Sequence, residues 1–325
     1  MAVTLAEAKN NAQTDYDPFV IDEFRKESAL LDELVFDDAV NPSGGGATMT
    51  YGYRRLVTQP TAATRALNTE YAPQNVTTEQ FTTNLTVLGG SFEIDRVIAR
   101  IGKTGSDAVT LNMVQKIKAA KTLFQDLVIN GDVATDPNAF DGLDKALTGS
   151  STEFRAGATT DWSALNTSEA RLGALDALDE FLTLLDGSPT LLLGNQQALA
   201  RVRSIVRGSG MYVQNPVDGL VGAGGRPITR ETYGGLTLVD AGAKAGSNDP
   251  IIPTAANGTT SLYAVRIGMD GFHGVTTVGS QMVLVNLPDF SSAGAVKKGE
   301  VELGPVSVAL KATKAAAVFR NLKVR

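Results

Sequence analysis

Cysteine is missing from all 325 residues, and histidine occurs once, at position 273. Without cysteine there are no disulfides, no thiolate nucleophile, no Fe–S cluster and no cysteine-ligated zinc. A single histidine rules out a multi-histidine metal site within one chain. It leaves any Ser-His-Asp mechanism to the segment "GFHGV" around His273, which is glycine-flanked and carries no nucleophile-elbow pattern. His273 therefore reads as a loop or core histidine rather than a catalyst. No apolar run approaches the roughly 18 residues needed to span a bilayer. The start, "MAVTLAEAKNNAQTDYD", has no basic stretch followed by an apolar block, so no secretory signal is expected. Basic surplus is missing too. The formal net charge is −6, whereas a dedicated nucleic-acid binder would usually show a positive balance. Lysine is absent between Lys26 and Lys103.

What is present is a chain with changing texture. Residues 1–46 form a polar, acidic leader with a short amphipathic patch (Phe19, Ile21, Phe24, Leu30, Leu31, Leu34), closed by the flexible break "NPSGGG". Residues 47–58 and 81–88 alternate in the manner of strands: Met49, Tyr51 and Tyr53 share one side, as do Phe81, Thr83, Leu85 and Val87. Between them lies a connection bracketed by Pro60 and Pro73. Together they describe a long two-stranded arm. An isolated two-stranded ribbon is marginal in water, so such an arm needs something outside itself to lie on. From Ser106, a plausible N-cap, to Asn130 the period becomes helical, with Met113, Ile117, Ala120, Phe124 and Leu127 on one face and Gly131 as the stop. About 24 residues at ~1.5 Å each make a rod of roughly 36 Å.

A second helix is expected over 166–186, with Asn166 and Glu169 in capping-box spacing and Leu172, Leu175, Leu178, Leu182 and Leu185 as its apolar side. "TLLLGN" is a short buried strand, and Asn195 opens a third helix through Leu199, Val202 and Val206 to Gly208. Strand, turn and helix in that order suggest one α/β unit. From Gly208 to Asn257 loops dominate, with "GLTLVD" the main strand candidate; the remainder is β-rich, in "SLYAVRIG", "QMVLVNL", "VSVALKA" and "VFRNLKV". The fold class is α+β.

Several segments carry residue types that could do chemistry, and each has a plainer reading. "LVINGDVATDPNAFDGLDKAL" (127–147) brings Asp132, Asp136, Asp141 and Asp144 together, but Phe140 fills a would-be ligand position and no closing glutamate follows. It fails as a calcium loop. The plain reading is a helix stop and a turn, with Phe140 and Leu143 tucked back on the helix and the aspartates in solvent. "GAGGRP" (Gly222–Pro227) lacks the third spaced glycine and the strand–helix context of a phosphate loop, so a mobile loop is the default there. Arg201, Arg203 and Arg207 lie on the third helix, the last two at i,i+4. An anion or acidic partner would suit them; a solvated helix face is the plainer account. Glu93, Asp95 and Arg96 read as surface charges at a strand-to-helix junction. No catalytic, cofactor or metal constellation emerges.

The order of these parts resembles the major capsid proteins of tailed bacteriophages, the fold named after phage Hong Kong 97. "ATMTYGYRRLV…TTEQFTTNLTVLGG" resembles that family's extended loop. "SFEIDRVIARIG" resembles the entry to its spine helix, and "SDAVTLNMVQKIKAAKTLFQDLVINGD" resembles the spine helix itself. "DPNAFDGLDKAL" resembles the turn after the spine. "TLLLGNQQALARVRSIV" resembles a strand and helix of the axial domain, and "GGRPIT" and "VSVALKATKAAAVFRNLKV" resemble the axial loop and closing strands. The likeness covers nearly the whole chain. Two departures stand out: no long assembly domain precedes the arm, and the loop lacks the lysine that the type member joins to an asparagine of a neighbour.

The resemblance implies the following layout: an N-terminal arm (1–46), an extended β-hairpin loop (47–92), a peripheral domain with the spine helix (93–160), a compact axial domain (161–272), and return strands of the peripheral domain with a final axial strand (273–325). It implies a structural protein, not an enzyme, that assembles with itself into hexamers and pentamers of an icosahedral shell around double-stranded DNA. Scaffold, portal and decoration proteins are the further partners. No cofactor, metal or membrane is expected, and the location is the virion, assembled in the bacterial cytoplasm. Phe19, Phe24, Arg54, Arg55, Arg65, Arg201, Arg203 and Arg207 are the expected interface residues. An encapsulin-like compartment is the near alternative; a soluble α/β enzyme using Gly222–Pro227 on a phosphorylated ligand is the distant one. Charge adds an expectation of its own. Residues 1–38 hold ten acidic groups against three basic ones, whereas 297–325 hold seven basic against two acidic, so the leader is expected to lie on a basic surface of another subunit.

Overall fold

The rod expected from the sequence is the longest helix of the structure, a computed structural model that describes residues 30–41, 48–101, 108–208, 213–221, 227–247, 249–278 and 282–325. Ahead of it lie helix α1 (Leu30–Glu33), strands β1 (Phe36–Val40), β2 (Thr50–Leu56), β3 (Thr78–Asn84) and β4 (Thr86–Asp95), and helix α2 (Arg96–Ile101). The rod itself is α3 (Ala108–Asn130). Its buried face is Ala120, Phe124 and Val128, joined by Gln125 and Ile129. Met113, Ile117 and Leu127 of the expected stripe are only half-buried. Burying one side chain such as Phe124 contributes about 2–3 kcal/mol.

After the rod come α4 (Leu143–Leu147), β5 (Glu153–Phe154), β6 (Thr160–Asp161), α5 (Ser168–Leu182), β7 (Leu191–Gly194), α6 (Gln196–Gly208), β8 (Val213–Val221), β9 (Pro227–Tyr233), β10 (Leu236–Asp240), β11 (Thr259–Val265), β12 (Phe272–Thr277), β13 (Val283–Asn286), β14 (Val296–Leu310) and β15 (Ala316–Lys323). They build two sheets. The first runs β1-β12-β14-β13, with β4 also paired to β14. Within it β14 does double service: Val296–Leu303 pairs with β4, Glu300–Leu303 also takes β13 on the other edge, and Val306–Leu310 pairs with β12. Helix α3 lies across β4 and β14. The second sheet runs β5-β15-β11-β7-β10-β9-β8, with β6 also on β15.

The sequence of β7 explains how the two sheets share a core. Successive strand residues point to opposite faces. Leu191 and Leu193 join Phe124, Val128, Leu303 and Val306 in one cluster, while Leu192 joins Trp162, Phe181, Val202 and Phe319 under α5 and α6. The second sheet is therefore apolar on both sides at its centre, which is why "LLLG" reads as a continuous run rather than an alternation.

Several expectations need correction. The N-cap of α5 is Thr167, whose hydroxyl accepts from the Ala170 N–H, not Asn166. The buried face of α5 is Ala174, Ala177, Leu178 and Phe181, whereas Leu172 is 55% exposed. The run 81–88 is not one strand: it breaks at Leu85 into β3, which pairs with β2, and β4, which leaves for β14. The stretch 208–257 holds three strands rather than one, because β8 and β9 pair with each other beyond β10. "FHGVTT" is a strand, β12, every residue of it buried. The end of the acidic leader is not a loose arm, since Leu30 and Leu34 are core residues and β1 pairs in parallel with β12.

Candidate assembly surface

Strands β2 and β3 pair antiparallel from Thr50↔Asn84 to Leu56↔Thr78 and carry a connection of residues 57–77. Every residue from Leu56 to Gln80 is exposed. The connection is tied across only by polar contacts, Thr58 Oγ1 with Thr77 Oγ1 at 2.9 Å and the Thr61 N–H to Gln74 Oε1 at 2.8 Å. Its apolar side chains are largely exposed: Leu67 is 90% exposed, with Tyr71 and Val57 at 59% each. Exposed apolar side chains on a two-stranded ribbon are what a docking surface would present.

The root of the hairpin, by contrast, is firmly seated. Arg55 of β2 reaches the far end of β14: its Nε donates to the Lys311 carbonyl at 2.9 Å, Nη1 to Thr313 Oγ1 at 3.3 Å, and Nη2 to the Leu310 carbonyl. The same guanidinium lies 4.2 Å from the Phe81 ring centroid, a cation–π contact. Tyr51 is buried beside Val40, Leu85, Val275 and Ala309. Its hydroxyl donates to Asp37 Oδ2 at 2.9 Å, and burial together with that carboxylate pushes its ionisation upward. Asp37 Oδ2 also lies 3.8 Å from Lys311 Nζ and 4.0 Å from His273 Nε2. Beneath the hairpin opens a cleft of about 500 Å³ bounded by Tyr53, Arg55, Phe81, Phe140, Lys145 and Phe272.

The acidic turn after α3 is architecture, as expected, but its aspartates are not idle. Asp132 accepts the Ala134 N–H, Asp136 that of Asn138, and Asp141 that of Val133. Asp144 accepts from the Tyr263 hydroxyl at 2.7 Å and pairs with Arg320 at 2.6 Å. Gly131 and Gly142 make the crossing tight: the Gly142 N–H donates to the Gly131 carbonyl at 2.8 Å, and a Cβ on Gly131 would stand 2.2 Å from the Phe140 carbonyl oxygen. Among the described residues there is no cluster of His, Cys, Asp and Glu able to hold a metal ion.

The expected interface residues fall into three groups. Phe19 and Phe24 lie outside the described residues. Arg54 is exposed on β2, and Arg65 at the hairpin tip contacts only nearby carbonyls and the Tyr71 ring. Arg55, Arg201 and Arg203 make contacts inside their own chain, Arg201 to the Val324 carbonyl at 2.9 Å and Arg203 to Glu231; Arg207 is exposed. Five of the seven basic residues of the C-terminal stretch are likewise engaged within the chain. Lys298 pairs with Glu93, Lys311 with Asp37, Arg320 with Asp144 and Glu153, and Lys323 with Asp161, while Lys297 is buried against the Ser292 and Ala293 carbonyls.

Positions 222–226 of the glycine-rich loop lie outside the described residues, and Pro227 begins β9. A second cleft of about 500 Å³ does sit at the carboxyl ends of the parallel strands β7 and β10, where an α/β enzyme would hold a ligand. Its buried polar group, Asn195, is fully used. It accepts the Ala198 N–H at 2.8 Å as the cap of α6 and donates to Ile252, Thr254 and Thr260. No helix among the described residues is long and apolar enough to cross a membrane.

No family model matches the sequence, and no curated protein matches it. Solved structures do match. The chain is similar to the encapsulin SrpI of Synechococcus elongatus PCC 7942, seen in its holo complex, with a TM-score of 0.65 at 17% identity over 100% of this chain and 97% of that one. It is similar to the capsid protein of Myoviridae phage XM1, with a TM-score of 0.60 at 11% identity over 99% of both chains. Mycobacterium phage Adephagia gives a TM-score of 0.61 at 14% identity over 100% of this chain and 99% of that one. The fold is the α+β Hong Kong 97-type capsid fold.

Proposed function

We propose that the chain is the major capsid protein of a tailed bacteriophage, a structural subunit that forms hexamers and pentamers of an icosahedral head around double-stranded DNA. The observation that carries this reading is the hairpin: a firmly seated root and an exposed connection whose apolar side chains are largely uncovered by their own chain. The full-length likeness to phage capsid structures supports it. In this reading β2 and β3 are the extended loop, α3 is the spine helix, and the sheet under α3 is the peripheral domain. The sheet under α5 and α6 is the axial domain. DNA lies on the inner face without sequence recognition. Scaffold, portal and decoration proteins are the further partners, with assembly in the host cytoplasm.

The likeness to SrpI supports a second reading, a protein compartment without a genome. Electron microscopy of the expressed chain, followed by nuclease digestion and extraction of protected nucleic acid, separates the two. In phage-infected cells the first reading expects closed shells with nuclease-protected DNA. Shells that hold only protein favour the second. A folded protein that stays at its monomer mass of 34.1 kDa at high concentration, with any required scaffold supplied, overturns both.

A further inference from the structure

The only histidine of the chain sits at the hairpin's root in an unusual state. His273 has no exposed surface, and neither ring nitrogen makes a well-formed hydrogen bond among the described residues, although the Gly271 backbone comes near enough to favour the proton. It lies in β12, between β1 and β14 in the sheet. Its ring meets that of Tyr51 edge-on at 5.9 Å. One atom, Asp37 Oδ2, faces both: it accepts the Tyr51 hydroxyl at 2.9 Å and stands 4.0 Å from His273 Nε2. The groups that face the imidazole are Asp37 from β1, Tyr51 from β2 and, beyond the end of β14, Lys311, which is 3.8 Å from the same oxygen. Arg55 is held next to them on the Leu310 and Lys311 carbonyls, and Asp270 precedes β12.

We propose that His273 is an acid-sensitive element in the seat of the hairpin, and that its protonation draws the Asp37 carboxylate away from Tyr51 and loosens β2 and β3 from the sheet. A neutral imidazole can remain in this apolar site. An imidazolium there needs a counter-charge, and Asp37 is the carboxylate within reach. Taking Asp37 removes the acceptor of a buried tyrosine hydroxyl, which weakens the contact between hairpin and sheet. Burial first, and the Lys311 charge second, hold the proton affinity of His273 below the ordinary histidine range. The unfolded or unseated chain therefore binds the proton more readily. The stabilising effect of the seat is complete above a pH of about 6.5 and is lost as pH falls from there through the lowered value. This device lies within one subunit, and it stands whether or not the shell reading holds.

Amide hydrogen exchange read by mass spectrometry tests it on the full chain, assembled or not. Opening of 50–56 and 78–84 is compared with that of 259–265 and 316–323 between about pH 7.5 and about pH 5, after correction for intrinsic rates. The hairpin-to-core ratio should rise about tenfold in the wild type and stay flat in His273→Leu. Should that variant not fold, Asp37→Asn keeps an acceptor for Tyr51 but removes the charge that the imidazolium takes. Without that charge the seated imidazole holds its proton still less well, so the acid-driven opening of this variant should be at least as large as that of the wild type. Deuteration of the imidazole C2 position follows the protonation of His273 itself and should track the opening. A ratio that ignores pH in the wild type, an equal rise in His273→Leu, a rise that disappears in Asp37→Asn, or a histidine that titrates without hairpin opening would overturn the proposal.

Discussion

The ring of Phe36 packs 6.1 Å from that of Phe124 and lies directly over Gly274, its register partner across β1 and β12. A Cβ at position 274 would come within 2.4 Å of the Phe36 ring. The end of the acidic leader is thus locked to the rod helix through a glycine whose missing side chain makes the room.

Gly274→Ala should destabilise the fold by about 1–3 kcal/mol, because the Phe36 ring is pinned by Phe124 and cannot retreat freely. Chemical denaturation gives the number. A variant as stable as the parent would mean that β1 does not sit on β12.

Within α5 the two candidate faces can be told apart. Phe181→Ala should cost about 3–5 kcal/mol, since Phe181 is fully buried against Phe154 and Phe319. Leu172→Ala, on the face that leucine spacing alone favours, should change stability by less than about 0.5 kcal/mol. Thermal melts of the pair decide between the faces.

Arg320 joins β15 to the turn after the rod through Asp144 and Glu153, whose side chain is only 12% exposed. Arg320→Met should cost about 2–4 kcal/mol by stranding a partly buried carboxylate. Arg320→Lys should rescue only part of it, because one ammonium cannot reproduce a fork that meets two carboxylates. Full rescue by lysine, measured by urea titration, would show that charge alone matters here.

Arg55→Ala should leave the core intact and speed hydrogen exchange in 50–56 and 78–84 by about five- to tenfold, since only the hairpin loses its hydrogen bonds to the end of β14. A global loss of protection would place Arg55 in the core rather than at the seat.

Particles boiled in denaturant should run as monomers of 34.1 kDa. The hairpin holds no lysine, because none occurs between Lys26 and Lys103, and the absence of cysteine excludes a disulfide mesh. A covalent ladder on the gel would refute this.

Legibility in the sequence followed how each element is buried. The rod and α6 showed plainly because apolar residues recur along them at a helical period, and β7 because its short run is apolar throughout. Strand β8 did not: "VQNPVDGLV" carries Pro216 and Gly219, which an edge strand tolerates and a central one does not. Strand β12 is buried on both faces and so shows no alternation. The first half of β14 does alternate, but two of its inward positions are Lys297 and Gly299. The lysine is accommodated only because its ammonium reaches the Ser292 carbonyl and hydroxyl at 2.7 Å each. The hairpin itself could be read from its strands and prolines. Its seat could not, since Asp37, Tyr51, His273 and Lys311 come from four distant places and share no spacing.

Strand β14 lies inside the first sheet and β15 inside the second, so residues 296–323 run through the middle of both. A growing chain can form the rod and the hairpin early, yet neither sheet can close until this last segment has left the ribosome. Before then β12 and β13 lack their shared partner, as do β11 and β5, and the hairpin has no seat, because that seat is built on Leu310, Lys311 and Thr313. A chain cut short before this segment would carry the sticky hairpin without a rigid base to aim it. A rigid seat for the hairpin is in this way withheld until residues 310–313 have been synthesised.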